Sequence, residues 1–204
     1  MSNDRMTFAA HLCGARVNEV LDGNDDFVAT LYDLGFRRVQ INATAVNGVD
    51  TSNLAGSVIQ LATVIQKHSN LEFILQKNEE TKPLWEGLLT NDNVHLCGPL
   101  GCLPGKTSML LDESKGTGVL PTEWPQPPQD YNIGYAGGIG PKNIKTVLRK
   151  VMDVSGNKHV WIDMESSLRS NTNGKDVFDL SKCFICIEAV CEAGLYPHPS
   201  FVPT

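Results

Sequence analysis

Asn132-Ile133-Gly134-Tyr135-Ala136-Gly137-Gly138-Ile139-Gly140-Pro141-Lys142-Asn143-Ile144 is the stretch that decides the fold. Residues 132–136 form a short apolar run that reads as a strand. A glycine-rich turn follows, and a helix is expected over 141–151, with Pro141 in its first turn, where a missing N–H costs little. Strand, turn and helix make one βα unit. Working outward, strands are expected at 108–112 and 159–163, with a last helix over 180–193 ended by Gly194. Upstream, strands are expected at 7–13, 38–42, 71–76 and 93–97. Helices are expected at 16–21, 26–34, 52–68 and 82–89. Strands alternating with helices predict a parallel sheet of βαβ units, and near-continuous apolar strands predict helices on its surface. The segment 121–130 carries Pro121, Pro125, Pro127 and Pro128 and reads as an extended loop.

The chain has 204 residues, enough for one domain over 1–204 and few for an eight-unit barrel, which typically takes about 250. Net charge is −6, with no basic run of the kind a nucleic-acid partner requires. No apolar stretch approaches the roughly 20 residues of a membrane helix. The polar start, residues 1–6, leads into an apolar run soon broken by His11, unlike a signal peptide, so a cytoplasmic location is expected. In that setting the six cysteines are expected as thiols. Cys183 and Cys186, among apolar neighbours in the last helix, are expected to pack in the core.

Three consecutive strand ends carry the candidate chemistry. The strand at 108–112 ends in Asp112, followed by the flexible Gly116-Thr117-Gly118. The strand at 132–136 ends in Gly137-Gly138, where backbone N–H groups can approach a ligand closely. The strand at 159–163 ends in Asp163, followed by Ser166, Ser167 and Arg169. Barrel active sites sit at these C-terminal strand ends, often with a phosphate between the last two loops. The expected ligand is therefore a phosphorylated small molecule. Plain turns and polar loops are the structural alternative.

These motifs, in this order and spacing over the C-terminal half, resemble phosphoribosylanthranilate isomerase, a (β/α)8 barrel that catalyses an Amadori rearrangement. The resemblance implies that Asp112 is the general acid. It implies that Gly116 and Gly118 shape its loop, and that Gly137, Gly138, Ser166 and Ser167 line the phosphate site. Anchored on the family's last three strands, the chain shows seven recognisable strands, and the first strand of a TIM-type barrel is missing. The family's base is a cysteine in a Cys-Gly pair on that first strand. Cys13-Gly14 fits the pair but comes one strand late in the count; the alternative is that 8–13 is the first strand and a middle one is absent. The family's aryl-binding arginine has no counterpart beyond the position of Arg16. A seven-stranded barrel leaves two open edges, which another copy of the chain is one candidate to cover.

Other polar residues in strands complete the candidate set. His11 and Cys13 alternate onto one face, as do His95 and Cys97. Cys13 is the candidate base, with a packed thiol as the alternative. Gln40, Asn42 and Gln76 need partners in an otherwise apolar interior and are placed near the barrel mouth. The cysteine and histidine spacings match no zinc site, and no metal or cofactor is expected. The functional expectation is an isomerase-like enzyme acting on a phosphoribosyl or other phosphosugar compound. Two alternatives stand: a binding protein that kept the phosphate site without the base, and another phosphosugar lyase or isomerase.

Overall fold

The computed structural model describes residues 8–90, 106–115 and 118–195. Its six main strands are β1 (Ala9–Leu12), β2 (Arg38–Ile41), β3 (Glu72–Lys77), β4 (Lys106–Leu111), β5 (Asn132–Tyr135) and β6 (Trp161–Ile162). Its helices are α1 (Ala15–Leu21), α2 (Asp26–Leu31), α3 (Val58–Lys67), α4 (Lys82–Thr90), α5 (Ile144–Ser155) and α6 (Leu180–Glu192). The strands form one parallel sheet in chain order. In a flat sheet β1 and β6 would stand about 24 Å apart, five spacings of roughly 4.8 Å. Yet His11 on β1 and Asp163, just beyond β6, line one cleft. The sheet is therefore curled into a half-barrel.

The side-chain alternation of a strand assigns the two faces. Val39, Ile41, Phe73, Leu75 and Met109 point outward and are buried with Val17, Val28, Leu61, Ile65 and Leu88 of the helices. Ile133 and Tyr135 are buried with Ile144, Val147 and Val151 of α5 and Cys186 and Ala189 of α6. The inner face holds a smaller apolar set, Ile74, Leu110 and Ala136, with Trp161 against it. Gly134 makes room for that ring: a Cβ there would lie 2.2 Å from the Trp161 indole. Trp124 is buried edge-on against Tyr135, with centroids 5.5 Å apart.

The expected strand at 93–97 lies outside the described residues. β3 and β4 pair directly over six residues, from Glu72↔Lys106 to Lys77↔Leu111, so no strand stands between them. An apolar run in the sequence signals burial, but it does not say which strand becomes its neighbour. The antiparallel hairpin of β7 (Arg169–Thr172) and β8 (Lys175–Phe178) replaces what reads as a polar loop. Its turn is Asn173-Gly174, both with positive φ (54° and 78°), the pattern of a two-residue hairpin turn. α3 starts at Val58, after a series of turns, and α5 starts at Ile144, three residues beyond Pro141.

Asp25 ties α2 to α3. Its carboxylate accepts hydrogen bonds from Lys67 Nζ and His68 Nε2 at 3.0 and 2.6 Å. The Lys67 bond first, then the His68 bond, holds the Asp25 carboxyl below its ordinary range. A depressed folded-state pKa contributes stability that is full above the unfolded value, near 3.9, and is lost as pH falls through the folded value. Wild type is thus expected to exceed Asp25→Asn in urea midpoint at pH 7, with the gap shrinking below about pH 4. Urea melts across that range check it.

Among the described residues no helix is long and apolar enough to cross a membrane. Near the β6 end, Phe178, Leu180, Phe184 and Ile187 are exposed.

Candidate functional site

The C-terminal ends of the strands surround a cleft of about 720 Å³, part of it open to solvent. Asp112 lines it, in the first position past β4. Its Oδ2 accepts a hydrogen bond from Gln76 Nε2 at 2.6 Å. Its Oδ1 accepts from the Ser114 hydroxyl and backbone N–H, at 2.6 and 3.1 Å. Gln76 is 3 % exposed, and its Oε1 has no hydrogen-bond donor among the described residues. A buried acceptor left in that state costs about 1–3 kcal/mol.

A second network steadies His11. Asn47 Nδ2 donates to Thr44 Oγ1 at 2.7 Å, and the Thr44 hydroxyl donates to Asn42 Oδ1 at 2.8 Å. Asn42 Nδ2 lies 3.2 Å from His11 Nε2. Asn42 and Thr44 are buried, while His11, Asn42 and Asn47 line the cleft. The chain of amide, hydroxyl and amide sets the imidazole's position from a rigid base.

Asp163 faces the cleft from the end of β6 with no hydrogen bond to its carboxyl among the described residues. Burial pushes its pKa up; the neighbouring Glu165 charge adds to this, His11 opposes it, and Asp112 adds a smaller push. Charge on this carboxyl is therefore disfavoured until something cationic or donating meets it.

The turn after β5 presents backbone to the cleft. Gly137 and Gly138 have φ of 106° and 61°, a region that side chains rarely adopt. A Cβ on Gly138 would lie 2.4 Å from the Gly118 carbonyl oxygen, and one on Gly140 would lie 2.4 Å from Ser167 Cβ. The loops after β4, β5 and β6 thus interlock with no room for side chains. Asn143 clasps the turn, accepting from Gly140 N–H at 2.9 Å and donating to Gly138 carbonyl at 2.8 Å. The N–H groups of Gly138 and Ser167 have no acceptor among the described residues. A second hollow, about 620 Å³, lies against the same two residues and adds Lys142 and Lys182.

Of the residues singled out in the sequence, the cleft gathers His11, Gln40, Asn42, Gln76, Asp112, Gly118, Gly137, Gly138, Asp163, Ser166 and Ser167. Cys13 does not line it. β1 ends at Leu12, so the alternation that would align Cys13 with His11 has stopped, and Cys13 is exposed. Arg169 is turned to the hairpin, where its Nε meets Asp176 Oδ2 at 2.7 Å. Arg16 pairs with Glu19 at 2.8 Å. Gly116 and His95 lie outside the described residues. Asn47, Ser114 and Glu165 line the cleft without having been expected there. Ser114 had a local signal, since it follows Asp112 at the spacing of a side-chain-closed turn, the bond found at 3.1 Å; Glu165 had none, because Asp163 closes no such turn among the described residues. Asn47 had none, since it arrives from the loop beyond β2. Among the described residues no group of three or more His, Cys, Asp or Glu is placed to hold a metal ion. Compared with models of known protein families and with curated proteins, the chain matches none.

Proposed function

We propose that this cleft binds a phosphorylated small molecule and that the chain is an isomerase-like enzyme acting on a phosphoribosyl or other phosphosugar compound. The reading rests on one observation above the others: the unaccepted N–H groups of Gly138 and Ser167 lie where glycines keep side chains out. Oriented amides with nothing else to bind form an anion seat. Ser166 and Ser167 add hydroxyl donors beside it. Asp112, which lines the same cleft, is the candidate general acid, as the resemblance to phosphoribosylanthranilate isomerase implies.

The finer architecture we propose is part of a TIM-type barrel. Counted back by adjacency from the strand carrying Asp112, taken as the sixth, β1 becomes the third strand of that barrel. Two strands, rather than one, are then needed between β6 and β1. Cys13 in turn lies two strands from the position of the family's base. His11 is the better-placed base, since it lines the cleft and is anchored by Asn42. A binding protein without turnover remains the second reading, favoured by the exposed, outlying position of Cys13.

A crystal grown with phosphate or sulfate tests the seat. An anion bound to the amides of Gly138 and Ser167 is the expected result; an empty or side-chain-filled space there would refute it. Turnover of a phosphoribosyl substrate that is lost in Asp112→Asn separates enzyme from binder. A general acid or base typically contributes about 10²–10⁴-fold, so a loss in that range is expected.

A further inference from the structure

Away from the cleft, α6 carries more apolar surface than its own fold uses. Leu180, Phe184 and Ile187 are exposed and Cys191 is half-buried, at the i, i+4, i+7, i+11 spacing that aligns them in one row. A different face of the same helix, with Cys186 and Ala189, is buried with Ile144, Val147 and Val151 of α5. A helix that is apolar on two faces is built for a neighbour on each. Among the described residues α3 and α5 each leave one large apolar side chain exposed, Ile59 and Met152. The row continues into the hairpin: Phe178, two residues before Leu180, is exposed, as is all of β8. A two-stranded hairpin with no covered face is at best marginally stable in water, so this one also gains from a cover.

Size and charge say what covers the row. Phe178, Leu180, Phe184 and Ile187 are 42–68 % exposed. At roughly 150–250 Å² for a large side chain, they present on the order of 400 Å² of apolar surface. Homodimer interfaces are about 65 % apolar, so a contact centred on this row would cover about 600 Å² per copy and about 1,200 Å² in all, enough for a specific interface. The charges around the row are met within the chain: Glu192 by Lys145 at 2.6 Å, Asp176 by Arg169 at 2.7 Å, and Lys182 by the Arg169 carbonyl. A strongly charged partner therefore has little to pair with here. A second copy needs no opposite charge, because a row of apolar side chains is complementary to itself about a two-fold axis.

We propose that this face joins two copies of the chain in a symmetric dimer, with α6 packed antiparallel on α6. The two-fold axis then passes between Phe184 and Ile187, so that Phe184 of each copy packs beside Ile187 of the partner subunit, and Leu180 beside Cys191 of the partner subunit. The dimer is independent of what the cleft binds.

Sedimentation velocity of the full chain from about 1 to 100 µM tests it, the range in which an interface of this modest size assembles. The expected species has twice the 22.3 kDa mass of the chain. Phe184→Glu is expected to raise the dissociation constant about 30-fold or more, the effect of losing a central aromatic side chain. Phe184→Leu should keep the dimer. Leu34→Glu is the matched control: at 67 % against 68 % for Phe184 it is equally exposed, but it lies in the turn after α2. Its dissociation constant should stay within about twofold of wild type. Leu180→Lys gives the same reading as Phe184→Glu if the latter loses its native circular dichroism. A monomer throughout the concentration range, a dimer that Phe184→Glu and Leu180→Lys leave intact, or an equal loss in Leu34→Glu overturns the proposal.

Discussion

Truncating Tyr135 to alanine is expected to remove about 3–5 kcal/mol of stability, the range for deleting a fully buried aromatic side chain. Tyr135 is 0 % exposed, at the end of β5, where the ring packs edge-on against Trp124. Its hydroxyl donates to the Pro125 carbonyl at 2.7 Å and so pins the proline-rich segment over the core. Burial also pushes the phenol's pKa up, as expected where an ionised oxygen would lose its water. A domain of ordinary stability has about 5–15 kcal/mol in all, so Tyr135→Ala should sit near the edge of unfolding. Tyr135→Phe keeps the ring and loses only the hydroxyl bond, for about 0.5–1.5 kcal/mol. Urea denaturation of the three proteins checks the order. The midpoints should fall from wild type to Tyr135→Phe to Tyr135→Ala, with the slope unchanged if the transition remains two-state.

The second large effect falls on binding. Gly138→Ala is expected to weaken inorganic phosphate binding by about tenfold or more, since two charge-assisted hydrogen bonds at roughly 1.5–3 kcal/mol each depend on the turn. The new Cβ would stand 2.4 Å from the Gly118 carbonyl oxygen and 2.8 Å from the Leu120 nitrogen, both backbone atoms. Neither can move without shifting the loop after β4, and the φ of 61° adds strain of its own. Gly156→Ala is the matched control. Gly156 has a similar φ of 57°, but a Cβ there would meet nothing within 4 Å, and it closes α5 far along the chain from the cleft. Phosphate titration followed by calorimetry should show the loss in Gly138→Ala and not in Gly156→Ala. Equal loss in both would mean that general destabilisation, and not the interlocked turn, governs binding.

How much of this was legible beforehand depends on the distance over which each feature is encoded. The sequence alone determined the βα alternation, because apolar periodicity and turn residues act within a few positions. It also determined that Asp112, Gly137, Gly138, Asp163, Ser166 and Ser167 stand at strand ends, and in a parallel sheet those ends lie on one side. Even the missed hairpin was written locally, in Asn173-Gly174 with its two positive φ values. Tertiary structure decided what no local pattern carries. Direct pairing of β3 with β4 set the strand neighbours, and so moved the proposed count of missing barrel strands from one to two. The end of β1 at Leu12 kept His11 in the cleft and left Cys13 outside it, although the two are only two residues apart. The curl of the sheet brought Asp163 within reach of His11. Pairing, strand termination and curl are settled by contacts between residues distant in the chain, and those contacts exist only once the chain has folded.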